Sequence, residues 1–158
     1  MNTTIGKVLG IALRPARAEP MREVTEARAF EGGALEGDHG KGGKRGITLL
    51  SAVQWADVVS RMGFDLPWHA RRANVLIDAP TLEHLVGKTI AIGEVRVKIH
   101  NITYPCSHID EMEPGLLHAL SGEGRGGVYG AILNDGVVRV GDEVRKIETE
   151  RRRDEETE

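Results

Sequence analysis

The sequence predicts a mainly β protein with a few peripheral helices, an α+β chain in which strands dominate. Three observations carry this. Glycine occurs 20 times in 158 residues while aromatic residues make up only 4%, and many glycines in a short chain mean many turns. Val95, Val97 and Ile99 alternate with Arg96, Lys98 and His100, the two-residue period of a strand with one buried and one solvated face. Turn signals then recur at Gly93–Glu94, Asn134-Asp135-Gly136 and Gly141–Asp142. A chain of 158 residues suits one domain around one core. Residues 1–150 are read as that domain and residues 151–158, which contain no apolar side chain, as a charged and frayed tail.

In order, Lys7–Leu13 (K-V-L-G-I-A-L) reads as a first strand. Arg14–Phe30 is polar, carries Pro15 and Pro20, and is expected to be irregular with some strand near Thr25–Phe30. Glu31–Gly46 is a long glycine-rich loop holding Asp38, His39, Lys41, Lys44 and Arg45, and loops of this length are usually functional or disordered. Ile47–Leu50 is a short strand. Ser51 opens a helix, because Ser51-x-x-Gln54 is a capping box. Ala52, Trp55, Val59 and Met62 follow at helical spacing, and Gly63 is placed to end the helix. Pro67 and Trp68 fall in the next loop, Ala70–Ile77 ends in a buried strand, and Pro80–Val86 makes a helical turn or two.

From Gly87 the pattern is β: Lys88–Ile92, a turn, then the alternating run that ends at His100. Beyond the segment around Cys106, a short helix is predicted within Met112–Leu120, beginning near Pro114, a residue suited to a first turn. Ser121–Gly127 is a second glycine-rich loop. Val128–Leu133 is a strand, and Asn134-Asp135-Gly136 signals a hairpin to Val137–Val140. Glu143–Ile147 closes the domain. Ile90-Ala91-Ile92-Gly93-Glu94 echoes Val138-Arg139-Val140-Gly141-Asp142, which fits two similar hairpins in one barrel.

A net charge of −3 provides no global basic field of the kind that non-specific nucleic-acid binders use. No apolar run is long enough to span a bilayer, and the N-terminus lacks the charged-then-apolar pattern of a signal peptide. Neither nucleic acid nor membrane is expected as a partner. A single cysteine rules out an internal disulfide and a Cys-rich zinc site, and is compatible with a reducing cytoplasm.

That cysteine, Cys106, follows Pro105 and stands two residues before His108. By residue type alone it is either a small buried hydrophobe or a reactive thiol. Asp38 and His39 with Cys106 and His108 suggest a mixed metal site or a thiol–imidazole pair, against the commoner reading of surface residues. Arg71-Arg72 is either a solvated pair or, at the rim of a β-structure before Asn74, a bidentate phosphate clamp. Gly122-x-Gly124-x-x-Gly127 matches the dinucleotide fingerprint as a pattern, but a strand follows it rather than a helix, so the turn reading prevails. The Gly40–Gly46 loop fails the P-loop test because Lys44 is followed by Arg45. Its amides and cations still suit a less specific anion.

Taken in order, these segments resemble the MOSC family, the domain at the C-terminus of molybdenum-cofactor sulfurases that also occurs as small stand-alone proteins. The resemblance runs from about Ala29 to Ile147. It rests on Gly37-Asp38-His39, the strand and helix after Gly46, and Arg72-Ala73-Asn74 before a strand. Leu85-Val86-Gly87 through Ile92-Gly93 follows, then Pro105-Cys106, Gly126-Gly127-Val128-Tyr129-Gly130-Ala131 and Gly136-Val137-Val138-Arg139-Val140-Gly141-Asp142. It implies a closed or partly open β-barrel of the MOSC type and a role around the molybdenum cofactor, a phosphate-bearing pterin dithiolene (molybdopterin). Cys106 takes the place of the thiolate that ligates molybdenum or carries sulfur as a persulfide. Lys44, Arg45, Arg71, Arg72, Asn74 and Arg125 are the implied cofactor-binding residues, with Asp38, His39 and His108 in support. The implied partners are the cofactor or a protein that delivers it. A separate electron donor joins them if the chain reduces N-hydroxylated compounds, as some relatives do. The chain has no pyridoxal-phosphate domain and no cysteine cluster for an iron–sulfur centre. A persulfide carrier without molybdenum, and a non-catalytic barrel binding another anionic small molecule, are the alternatives.

Overall fold

The computed structural model describes residues 3–16, 19–40, 42–103 and 114–148, with the backbone but not the side chain of Arg71. Among the described residues, ten strands and two helices follow one another as β1 (Thr3–Leu13), β2 (Arg22–Val24), β3 (Glu26–Ala29), β4 (Ile47–Ser51), α1 (Ala52–Met62), β5 (Val75–Ile77), β6 (Thr89–Ile92), β7 (Val95–Ile102), α2 (Leu116–Leu120), β8 (Val128–Ile132), β9 (Gly136–Arg139) and β10 (Glu143–Ile147). Short 3-10 turns at Trp68–Arg71 and Glu83–Leu85 precede β5 and β6.

Seven strands close a barrel in the order β10-β6-β7-β8-β4-β5-β1, sealed by pairing of β1 with β10, and β2 extends it beyond β1. Among the described strands, only the β4–β5 pair is parallel. A parallel pair needs a crossover, and α1 supplies it. The first strand closes the barrel because it is long. Thr3–Lys7 pairs with β10, and the following stretch to Ile11 pairs with β5.

The alternation in β7 does what its pattern predicts. Val95, Val97 and Ile99 are fully buried, and with Ile11, Leu49, Val75, Ile77, Ile90, Val128 and Val144 they fill the barrel. A second, smaller cluster lies on the outer wall. Leu50, Trp55, Val58, Leu116 and Leu120 pack α1 and α2 against the strands there. Truncating a fully buried Leu in either cluster to Ala would cost about 2–5 kcal/mol.

Helix α1 starts and stops where its sequence says. The Gln54 N–H donates to Ser51 Oγ at 3.1 Å, and Gly63 ends the helix in the left-handed region at φ 84°. The reciprocal half of the capping box is not made. The Gln54 side-chain amide donates instead to Glu123 O at 2.7 Å, which ties α1 to the second glycine-rich loop.

The hairpin expected at Asn134–Gly136 does not form. Strand β9 pairs with β3 in a separate two-stranded sheet, with Ala29 opposite Gly136. Neither Asn134 nor Asp135 has the positive φ that a tight two-residue hairpin requires. The Asn134 side chain serves another strand pair. Its Oδ1 accepts from Arg96 N at 2.8 Å and its Nδ2 donates to Glu94 O at 3.0 Å, bracketing the start of β7 just after the β6–β7 turn. The echo between residues 90–94 and 138–142 is therefore one of turns only. β6 and β7 form a hairpin, whereas β10 leaves β9 and pairs with β6 and β1.

Candidate functional site

Asn74 is the residue on which the first candidate cluster is built. It stands directly before β5 and is 5% exposed. A buried carboxamide must find partners for two lone pairs and two N–H groups, and Asn74 finds all four. Its Oδ1 accepts from Thr48 N at 3.0 Å and from Thr48 Oγ1 at 3.1 Å. Its Nδ2 donates to Ala12 O and to Asp38 Oδ1, both at 3.2 Å. Asp38 Oδ1 also accepts from Arg14 N at 2.8 Å, and His39 N donates to Arg14 O at 2.7 Å. The side chains of Asp38 and Asn74 therefore knot three distant segments together: the end of β1, the first glycine-rich loop and the β4–β5 wall.

Cations gather at this knot. Arg72 ends the 3-10 turn in the left-handed region at φ 66°, with its N–H donating to His69 O at 2.8 Å. An L residue pays roughly 1–2 kcal/mol to sit there. Its guanidinium donates to Glu19 O at 3.4 Å. Burial, and then the charge of Arg14, hold its pKa below the usual arginine value. Among the described residues, neither Arg14 nor Arg72 has a carboxylate within ion-pair distance. Lys44 and Arg45 are exposed on the neighbouring loop. The Arg45 guanidinium lies over the Tyr129 ring at 4.1 Å, a favourable cation–π geometry. Tyr129 pairs with Thr48 across the β4–β8 ladder, so Arg45 reaches the same outer wall as Asn74.

Arg125 lies elsewhere and faces inward. It is 7% exposed. Its Nε donates to Ala119 O at 2.9 Å, one Nη to Ser121 O, and the other meets Glu123 Oε1 at 3.2 Å. The loop that carries it, residues 121–127, is shaped by its glycines. Gly122, Gly124 and Gly127 have φ of 84°, 68° and 91°, and the chain runs on into β8. Those glycines build turns, and no helix follows to receive a pyrophosphate.

Cys106 and His108 lie outside the described residues, as does the side chain of Arg71. The residues on either side of that segment are described. Thr103, 6% exposed, directly follows β7, its N–H donating to Gly127 O at 2.9 Å and its Oγ1 to Gly126 O at 2.5 Å. Gly115 opens α2 on the other side. Among the described residues, no three His, Cys, Asp or Glu side chains converge as metal ligands. Asp38 and His39 bind backbone and Asn74 instead. Arg14 and Thr48 were not singled out by sequence. Arg14 carried one signal, a cation placed immediately after an apolar strand. Thr48 carried none.

A family model for the MOSC domain matches residues 36–145. Among solved structures, YuaD of Bacillus subtilis aligns with a TM-score of 0.74 at 18% identity, over 94% of this chain and 99% of that one. YiiM of Escherichia coli aligns with a TM-score of 0.68 at 16% identity, over 90% of this chain and 70% of that one. YiiM of Geobacillus stearothermophilus gives 0.66 at 18% identity, over 94% and 76%. At such identities the likeness is one of fold. No curated protein sequence matches the chain.

Proposed function

Since the chain belongs to the MOSC domain family, we propose that it binds the molybdenum cofactor. In this reading Cys106 is the thiolate that ligates molybdenum or carries sulfur, and Arg14 with Arg72 is the handle for the pterin phosphate. One observation carries the geometric part. Arg72 sits in a strained left-handed backbone, Arg14 is near enough to help hold its pKa down, and neither has a carboxylate partner among the described residues. Like charges left in this state are attractive to a dianion, and a planar guanidinium fork matches phosphate oxygens in pairs. Lys44 and Arg45, exposed on the neighbouring loop, and Arg71, by its place in the sequence, are further candidate contacts. The bound cofactor would supply metal-centred redox or sulfur chemistry. The chain's part is to offer a soft thiolate and a fixed anion site.

Asn74 and Asp38 enter this reading as supports rather than ligands, because their hydrogen-bonding atoms are engaged within the knot. Arg125, whose donors are engaged with its own loop and helix, is likewise not counted among the cofactor's contacts.

The test is to express the protein in a cofactor-proficient host and measure molybdenum and pterin per chain. Wild type is expected to carry both. Cys106→Ser should lose the metal, and Arg14→Ala and Arg72→Ala should each lose pterin with the fold intact. Folded wild type carrying neither would overturn the proposal. A reductant-labile sulfur adduct on Cys106 without molybdenum would make the chain a sulfur carrier. If the metal is present, hydroxylamine reduction with an added electron donor separates an enzyme from a cofactor carrier.

A further inference from the structure

One oxygen of Asp38 serves two distant parts of the chain, accepting from Arg14 N at 2.8 Å and from Asn74 Nδ2 at 3.2 Å. The Arg14 backbone is held on its other side as well, where its carbonyl accepts from His39 N at 2.7 Å. Arg14 directly follows the last residue of β1, and Arg72 is joined to Asn74 through the buried Ala73. Asn74 is also fixed to β1 by its own backbone, since Ala12 N donates to Asn74 O at 2.8 Å. The segments that carry the two guanidiniums therefore meet at a single carboxylate oxygen. That carboxylate is itself anchored. Asp38 N donates to Leu35 O at 3.0 Å, and Leu35 is 2% exposed within the barrel core. Gly40 leaves it room, because a Cβ at that position would come within 2.8 Å of Asp38 Oδ2.

We propose that Asp38 is a positioning residue for the anion site of Arg14 and Arg72, an inference that rests on the reading of that pair as a phosphate handle. Arginine forks grip a phosphate well only when they converge on it in a fixed geometry, and a side chain is placed only as firmly as the shell that supports it. Asp38 touches no ligand in this account. It sets the spacing of the two backbones from which the guanidiniums reach out. As a charge it works against the site, because a carboxylate near a bound anion repels it. The two effects have opposite signs, which makes them separable. Asparagine at position 38 removes the charge but keeps an oxygen able to accept from both Arg14 N and Asn74 Nδ2. Alanine removes the charge and both bonds.

The test is the affinity for inorganic phosphate, titrated by phosphorus NMR at constant ionic strength, with the melting temperature of each protein recorded alongside. Wild type is expected to bind, and Arg14→Ala and Arg72→Ala to lose most of that binding. Asp38→Asn should bind phosphate more tightly than wild type by a small factor. Asp38→Ala, which loses the same charge, should bind it several-fold more weakly than wild type. Val144→Ala truncates a fully buried residue of β10 and controls for lost stability alone. It should lower the melting temperature and leave the affinity unchanged. Should Asp38→Ala fail to fold, Asp38→Ser, whose hydroxyl stops one bond short of the carboxylate oxygens, decides in its place. Binding by Asp38→Ala or Asp38→Ser as tight as wild type or tighter, or an equal weakening in Val144→Ala, would overturn the proposal alone. Phosphate binding absent from wild type, or untouched by both arginine variants, would overturn the reading of Arg14 and Arg72 and the proposal with it.

Discussion

Arg72 pays for its position in backbone strain. A left-handed φ of 66° is where glycine sits freely and arginine does not. Arg72→Gly should therefore stabilise the folded chain by about 1 kcal/mol while abolishing the proposed phosphate handle. Thermal melts with and without inorganic phosphate check both halves: a raised melting temperature, and no further rise on adding the anion. The pH behaviour of this residue also has a definite sign. Its folded pKa lies below the ordinary value because of burial and then Arg14. The unfolded chain thus holds the proton more tightly, and stability rises with pH only in the strongly alkaline window between the two values. Between neutral pH and that window the penalty is constant, so the difference between wild type and Arg72→Gly should respond to added anion and not to pH. Arg72 was legible as a candidate by residue type and by standing before a strand, and Asn74 through the family resemblance. The role of Asn74 was not, because its partners Thr48, Ala12 and Asp38 come from three other parts of the chain.

Among the elements, α1 was read almost completely from local chemistry. Its cap, its buried stripe and its terminal glycine all lie within thirteen consecutive residues, 51–63, and local signals decide such a helix. Ser51 does more than cap. Its Oγ accepts from Gln54 N and donates to Ala79 O at 2.5 Å. Ser51→Ala should cost about 2 kcal/mol, the upper end for a lost cap, since it also leaves a buried carbonyl without its donor. Chemical denaturation should show a lower midpoint with an unchanged slope. Strand β9 was the opposite case. The Asn-Asp-Gly signal marked the break between β8 and β9 but not the pairing: the expected hairpin does not form, because the partner strand β3 lies more than a hundred residues earlier, and no local pattern reveals a pairing at that separation. The same limit hid the ties from Gln54 to Glu123 and from Thr103 to Gly126.

For the molecule as a whole, closure is the governing fact. Every barrel strand finds a neighbour on each side, so none of the seven presents an open edge, and much of the pairing is non-local. Cutting the chain after Asp142 removes β10 and uncovers β1 and β6 together. Such a chain should lose its cooperative unfolding transition and aggregate. Cutting after Glu148 removes only residues 149–158 and should leave the melting temperature unchanged. Differential scanning calorimetry of the two truncations distinguishes them, and a cooperative transition in the shorter one would contradict the closed architecture.

The seam between β1 and β10 has a mechanical consequence. The strands are antiparallel, and the first residue of one faces the end of the other, Thr3 opposite Lys146. A pulling force applied to the two strand ends therefore acts on one rung at a time, beginning at Thr3, instead of shearing all rungs together. A barrel that has no edge at rest would open under tension like a zipper, from the rung of Thr3 and Lys146.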